Sequence, residues 1–298
     1  MAEVHTIAVI GAGTMGRGIA HAAALGGYRT ILEDILPTTL RKAETEIRAN
    51  LDQAVELGKV TKAGAEEALS RLEYASSVEQ AAREADLVIE AVPEEMESKL
   101  EIFTLLDKVC RPTTMIASNT SSLSITEISS VTYRARKCVG MHFFNPVHKM
   151  KLLEIVRALE PDDETLAAAV AVGNRMGKEV VVIREAPVFI TSRINALIGN
   201  EAFYMLQEGV ASPHDIDKAI KLGLNHPMGP FEMVDLVGLD TRLHILEYLH
   251  KTLGEKFRPA PLLVQYVKAG RLGRKSGRGV YDYPGHEPGR PTPPSDKK

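Results

Sequence analysis

The segment Ile7-Ala8-Val9-Ile10-Gly11-Ala12-Gly13-Thr14-Met15-Gly16 constrains this chain most, because an apolar run passes without a break into Gly-x-Gly-x-x-Gly and then into a helical pattern. Gly11 lets a buried strand turn sharply, Gly13 leaves the backbone open to close approach, and Gly16 lets the following helix lie against the strand. Helical spacing runs through Met15, Ile19, Ala23 and Leu25, the Gly26-Gly27 pair stops it, and a second apolar run, Thr30-Ile31-Leu32, ends in Glu33-Asp34. This makes a strand-helix-strand unit of roughly 30 residues with an acid about 20 residues past the glycines. A helix that starts at such a loop offers N–H groups and a partial positive charge to an anion. The pyrophosphate of a dinucleotide therefore fits there, cradled by Gly11, Ala12, Gly13, Thr14, Met15 and Gly16. An acid at the second strand end accepts hydrogen bonds from an adenosine ribose 2′-OH and repels a 2′-phosphate, which selects NAD over NADP; Asp34 is preferred to Glu33. An ordinary glycine turn beside a solvated acidic pair is the weaker reading, since position, period and spacing coincide.

The alternation continues down the chain. Past Pro37 an amphipathic helix carries Leu40, Ala43, Ile47, Leu51 and Ala54 on one stripe, and a second helical piece covers 62–72. Residues 85–92 read as a buried strand, 96–109 as a helix and 114–118 as a strand. Residues 137–144 and 151–156 read as strands joined by a loop holding Asn145-Pro146, with 179–183 the last. This pattern predicts an α/β fold, a Rossmann-type doubly wound sheet over 1–184. From about residue 189 the periodicity is helical throughout, over 189–206, 213–222, 231–253 and 261–269, so an all-helical C-terminal domain is expected over 185–284. The proline-rich segment 285–298 reads as a disordered tail.

At 298 residues and 44% hydrophobic content the chain can bury the cores of two ordinary domains. A net charge of −3 gives no sign of a nucleic-acid partner. Cys110 and Cys138 are the only cysteines, which leaves no disulfide framework and no Cys-x-x-Cys metal signature, so no metal is expected. No basic or apolar leader precedes the first strand, and no apolar run approaches the roughly 18 residues needed to span a bilayer. A soluble cytoplasmic protein without a membrane partner is expected.

Oxidising an alcohol with a nicotinamide requires a group that takes the hydroxyl proton, and histidine suits that task near neutral pH. Among nine histidines, His142 stands apart, ending an expected strand in Met141-His142-Phe143-Phe144-Asn145-Pro146, near where ligands bind in open α/β sheets. Glu154 lies on the next strand, Leu152-Leu153-Glu154-Ile155-Val156. If the two strands pair, Glu154 reaches the imidazole, holds its tautomer and raises its basicity; a carboxylate between Leu153 and Ile155 is costly without such a partner. From spacing alone, a structural histidine and a separate surface glutamate serve equally well. His148 is the nearest competitor as the base, although the adjoining Lys149 suggests a rim position.

These motifs together resemble the 3-hydroxyacyl-CoA dehydrogenase family, in particular its bacterial 3-hydroxybutyryl-CoA branch. The resemblance runs from Ile7 to about Tyr283. It rests on Gly11-Ala-Gly-Thr-Met-Gly16, Glu90-Ala-Val-Pro-Glu94, Ser118-Asn-Thr-Ser-Ser-Leu123, Met141-His-Phe-Phe-Asn-Pro146 with Glu154, His226-Pro-Met-Gly-Pro230 through Gly238-Leu-Asp240, and Gly273-Arg-Lys-Ser-Gly-Arg-Gly279. It implies His142 as the catalytic acid/base, Glu154 as the group that orients it, and Ser121 between cofactor and substrate oxygen. It also implies Glu94, Lys99, Asn145 and Lys275 as cofactor contacts, an acyl-CoA substrate of short chain length and (S) configuration, a place in fatty acid or butanoate metabolism, and a homodimer through the helical domain. On the residues alone, Ser121 reads equally well as a helix cap.

Two departures stand out at the domain junction, Pro187-Val188-Phe189-Ile190-Thr191-Ser192-Arg193. Where relatives carry an asparagine near the substrate, this chain has Ser192, with one hydroxyl in place of an amide, so a weaker or water-bridged substrate contact is expected. Where they carry glycine it has Val188, a β-branched residue strained at positive φ and expected to perturb the hinge or narrow the cleft. Arg41, Lys42, Arg48, Lys59 and Lys62 cluster on the 38–70 arm, either to meet CoA phosphates or as a solvated face. A dehydrogenase of free hydroxy acids, similar to the gulonate enzyme, and a non-catalytic NAD-binding protein similar to lens crystallins are the alternatives.

Overall fold

The computed structural model describes residues 3–284, so the expected disordered tail lies outside the described residues. The chain divides after Ala186 into two compact units, two residues beyond the boundary expected from the sequence.

The first unit holds one eight-stranded sheet: β1 (Thr6–Ile10), β2 (Arg29–Glu33), β3 (Leu72–Ala75), β4 (Leu87–Glu90), β5 (Met115–Ser118), β6 (Cys138–Phe143), β7 (Leu152–Arg157) and β8 (Glu179–Arg184). Their order is β3-β2-β1-β4-β5-β6-β7-β8. The first six run parallel, β7 is antiparallel to β6, and β8 runs with β7. Its helices are α1 (Thr14–Leu25), α2 (Pro37–Glu56), α3 (Lys62–Ser70), α4 (Val78–Ala82), α5 (Met96–Val109), α6 (Ile125–Ser129) and α7 (Asp163–Arg175). All five residues of β1 are buried, with Ile7 and Val9 in one core cluster and Ala8 and Ile10 in the other. Two covered faces explain why this strand is a continuous apolar run without alternation.

Four elements escape the sequence pattern, α4 among them, a five-residue helix whose cap is the Ser77 side chain accepting from Gln80 N at 3.3 Å. The expected helix over 62–72 ends at Ser70, and the residues after it form β3 at the sheet edge, where four residues are too few for a period to emerge. Helix α7 follows β7 directly and is announced only by its cap, Asp162 Oδ1 accepting from Thr165 N at 2.8 Å. Helix α6 is capped by Ser124, whose hydroxyl accepts from Glu127 N at 3.1 Å. The capping residue of that region is thus Ser124, which removes the cap reading of Ser121.

The second unit is helical: α8 (Thr191–Gln207), α9 (Pro213–Gly223), α10 (Pro230–Val237), α11 (Leu239–Leu253) and α12 (Pro261–Lys268). The single helix expected over 231–253 is two, because Gly238 at φ 106 breaks it. Phe203, Phe231, Leu246, Phe257 and Leu263 form the core. Two buried carboxylates tie its parts together. Asp217 accepts from Phe231 N at 2.8 Å and Glu232 N at 3.1 Å, capping α10 from the neighbouring helix. Asp235 accepts from Val280 N at 2.8 Å and Tyr281 N at 2.9 Å, fastening the last described segment. Val188 has φ 52, the left-handed conformation that disfavours a β-branched residue, and its side chain is wholly buried in this core.

Candidate active site

Strand register sets the site. Glu33, Ile10, Glu90, Ser118 and Gly140 stand in one row across the sheet. The segments beginning at Gly11, Ala91 and Asn119, and the end of β6 with His142, therefore leave from the same carboxyl edge. Strands β2 and β4 flank β1, which puts the reversal of strand order, where ligands of such sheets bind, at the glycine loop.

The glycine loop fits a dinucleotide. A Cβ on Gly11, which has φ 96, would lie 2.8 Å from Ala91 O, and one on Gly16 would lie 1.7 Å from Gly11 O. Both positions demand glycine for internal packing, whereas a Cβ on Gly13 would meet nothing within 4 Å, leaving that face of the backbone open to a phosphate. Asp34 Oδ2 accepts from Ala12 N at 3.0 Å and Oδ1 from Leu36 N at 2.9 Å, which fixes the carboxylate beside the loop. Glu33 points elsewhere: it is 2% exposed, one of its oxygens has no hydrogen-bond partner, and burial, reinforced by the Asp34 charge, pushes its carboxyl up to about 7. Of the two acids, Asp34 is therefore the one held beside the loop, and Glu33 is withdrawn from its surface.

Strands β6 and β7 set His142 directly opposite Glu154, and His142 Nδ1 lies 2.8 Å from Glu154 Oε2, with the side chains 7% and 2% exposed. Directly opposed residues of an antiparallel pair share a face, so the hairpin through Asn145-Pro146 is what makes the contact. Against a carboxylate, Nδ1 is the donor and the lone pair resides on Nε2. Glu154 is therefore not a separate surface residue but the buried partner of His142. His148 is exposed and stacks on His21 with ring centroids 5.7 Å apart; burial and then the charges of Lys149, Lys178 and Lys59 hold its pKa below the usual value.

Ser121 is half-buried on the loop after β5, and Glu94 Oε1 gathers that loop. It accepts from Thr120 Oγ1 at 2.6 Å, Ser121 N at 2.7 Å, Ser121 Oγ at 3.1 Å, and Ser122 N and Oγ at 3.2 Å. Burial raises the Glu94 pKa, but the Lys99 charge and the hydrogen bonds from Thr120 and Ser121 outweigh it and hold the carboxyl below its ordinary range. Lys99, expected to touch the cofactor, is 1% exposed, and its ammonium lies 2.7 Å from Glu90 and 3.3 Å from Glu94. Sealed in this way, it reaches a ligand only through Glu94. The sequence reading passed over Asn119, whose Oδ1 accepts from Phe143 N at 3.0 Å and so ties the Ser121 loop to the strand carrying His142. The available signal was an asparagine directly after an apolar strand.

The remaining expected residues are more dispersed. Asn145, at a cis peptide with Pro146, lines a cavity of about 250 Å³ with Thr14, Arg17, Asn50 and His148. In the helical unit, Lys275 Nζ is 2.7 Å from Asp240 Oδ2, and Ser192 is half-buried in the first turn of α8. On the basic arm, Lys42, Arg48 and Lys62 each face a glutamate one turn away at 3.9–4.0 Å, with Glu46, the partner of Lys42, held more tightly by Arg17 of α1 at 2.6 Å. Among the described residues no cluster of three or more His, Cys, Asp or Glu could hold a metal ion, and no helix is long and apolar enough to cross a membrane.

An open phosphate cradle at the strand-order reversal, with an imidazole-carboxylate pair at the same sheet edge, defines a nicotinamide-dependent dehydrogenase as the class of protein. Residues 6–186 match the model of the 3-hydroxyacyl-CoA dehydrogenase NAD-binding domain, and 189–283 match that of the 3-hydroxyacyl-CoA dehydrogenase C-terminal domain. The chain is 46% identical to a probable 3-hydroxybutyryl-CoA dehydrogenase of Bacillus subtilis, over 94% of this chain and 98% of the relative. It is 45% identical to the 3-hydroxybutyryl-CoA dehydrogenase of Bradyrhizobium diazoefficiens, over 96% and 98%. The crystal structure of (S)-3-hydroxybutyryl-CoA dehydrogenase from Ralstonia eutropha superposes with a TM-score of 0.91 at 42% identity, covering 94% of this chain and 99% of that one. With both domain models matched in order, this chain belongs to the 3-hydroxyacyl-CoA dehydrogenase family, whose cofactor is NAD.

Proposed function

We propose that this dehydrogenase interconverts short-chain (S)-3-hydroxyacyl-CoA and 3-oxoacyl-CoA, with 3-hydroxybutyryl-CoA as the reference substrate, and that His142 is the general acid/base. The observation that carries the reading is the buried 2.8 Å contact between His142 Nδ1 and Glu154 at the carboxyl edge of the nucleotide fold. NAD, when bound, would accept the hydride that leaves C3 in oxidation, and NADH would return it in reduction. In oxidation, His142 Nε2 takes the C3 hydroxyl proton, while Glu154 holds the ring tautomer and offsets the imidazolium charge that develops. In reduction, the imidazolium returns the proton to the C3 oxygen. Ser121 Oγ donates its one hydrogen to Glu94 Oε1 in this structure; with substrate bound it turns that hydrogen to the C3 oxygen and keeps the oxygen within reach of the ring, while Glu94 still holds the loop through Ser121 N.

Gly11 through Gly16 receive the diphosphate and Asp34 the adenosine ribose. Glu94, Asn145 and Lys275 complete the cofactor contacts, and Lys99 acts through Glu94. Ser192 makes a weak substrate contact, the helical domain forms a homodimer, and the enzyme works in the cytoplasm in fatty acid or butanoate metabolism. The test is NADH oxidation with acetoacetyl-CoA, run beside NAD reduction with free 3-hydroxybutyrate and gulonate. Turnover confined to the CoA thioester is expected, and preference for a free acid would refute the substrate assignment.

A further inference from the structure

A fully buried acid ends β4. Glu90 is 0% exposed, and its Oε1 accepts from Lys99 Nζ and from Val92 N, both at 2.7 Å, while Oε2 accepts from Ser118 Oγ at 2.6 Å. A carboxylate sealed at a sheet edge is costly, and an apolar residue would pack β4 more cheaply, which directs attention to what its partners hold. Both oxygens lead to the Ser121 loop. On one side, Lys99 bridges Glu90 to Glu94, and Glu94 holds Thr120, Ser121 and Ser122. On the other, Ser118 Oγ, which donates to Glu90, accepts from Thr120 N at 3.2 Å. Two carboxylates thus share one ammonium, and the loop is anchored at both ends of that ion network. Without the Glu90 charge, Lys99 would keep only Glu94 as a carboxylate partner beside the Val92 carbonyl at 3.4 Å, and a glutamine at position 90 could accept from Lys99 or from Ser118 but not from each through its own oxygen.

We propose that Glu90 is a positioning residue for the hydroxyacyl-CoA reaction: through Lys99-Glu94 and through Ser118 it fixes the loop that carries Ser121, and so the distance from which the Ser121 hydroxyl meets the reacting oxygen, without touching substrate or cofactor. This rests on the role given to Ser121 above. Misplacing a substrate-positioning group by about 1 Å costs on the order of 100-fold in rate. Glu90→Gln, which keeps the shape and removes the charge, is therefore expected to lower kcat with acetoacetyl-CoA and NADH by roughly 10- to 100-fold, with KM changed far less.

A double-mutant cycle with Ser121→Ala separates positioning from general structural damage. If Glu90 acts through Ser121, Glu90→Gln costs almost nothing further in the Ser121→Ala background. Equal costs in both backgrounds, with the parent active and Ser121→Ala impaired, would overturn the Glu90 assignment alone. No turnover by the parent, or full activity of Ser121→Ala, would overturn the functional reading and the Glu90 role with it. Should Glu90→Gln fail to fold, the same cycle with Ser118→Ala decides the matter, because that variant removes the second link and leaves the Glu90-Lys99 pair in place; additivity there counts equally against the assignment.

Discussion

Replacing Glu154 by glutamine isolates the charge of the buried pair. The amide has nearly the same shape, and its oxygen can still accept from His142 Nδ1, so the ring keeps its orientation and tautomer; what disappears is the negative charge that faces the imidazolium. The contact is 2.8 Å between atoms, with side chains 7% and 2% exposed, so solvent screens it little. Because both charges are delocalised, an effective separation of about 4 Å is appropriate, and at an effective dielectric near 20 the attraction is about 4 kcal/mol. That attraction is realised only while the ring is protonated. It therefore belongs to the transition state of oxidation and not to the resting enzyme, and its loss predicts a kcat reduced about 1,000-fold. The assay is the steady-state rate of NAD reduction with 3-hydroxybutyryl-CoA, alongside a fluorescence titration of NADH, whose affinity should stay within about twofold of the parent. A folded Glu154→Gln enzyme with kcat within tenfold of the parent would refute the reasoning and reduce the pair to a packing contact.

Two further outcomes concern stability. Glu33, pushed up to about 7 by burial and then by the Asp34 charge, is protonated in the folded chain and ionised in the unfolded chain between about pH 4.5 and 7, so folded protein binds more protons and stability falls as pH rises through that window. Relative to Glu33→Gln, the parent should lose up to about 3 kcal/mol between pH 4.5 and 8 in urea titrations, and parallel pH dependences would contradict the assignment. Val188→Gly relieves about 1–2 kcal/mol of left-handed strain but removes a wholly buried isopropyl group worth about 1.5–3 kcal/mol and loosens the unfolded chain, so a net loss of about 1–2 kcal/mol is expected; a higher urea midpoint would show that strain dominates.

The parts of this protein that were legible in the sequence are those where one physical demand acts alone. β1 needs two buried faces and reads as an unbroken apolar run; the turn after it needs Gly11 and Gly16 for packing and Gly13 for access, and all three appear at fixed spacing. The His142-Glu154 contact was only conditionally legible, because it depends on an antiparallel return of β7 that no single residue specifies. Short elements stayed hidden: β3 and α6, of four and five residues, are too brief for periodicity, and α7 shows itself mainly through Asp162. The network beneath Ser121 was hidden for another reason. Glu90 looks like the polar end of an apolar run, and only its contacts with Lys99 and Ser118, 9 and 28 residues away, reveal a buried anchor. The same holds for Val188, whose residue type suggests strain while its burial shows what holds it in place.

The claim on which the account turns is that the imidazole at the sheet edge moves the proton. Its most direct test is His142→Gln assayed for NADH oxidation with acetoacetyl-CoA and, on the same preparation, for NADH binding. The account predicts near-complete loss of turnover with unaltered NADH affinity; a variant that still turns over at a rate comparable to the parent would contradict it.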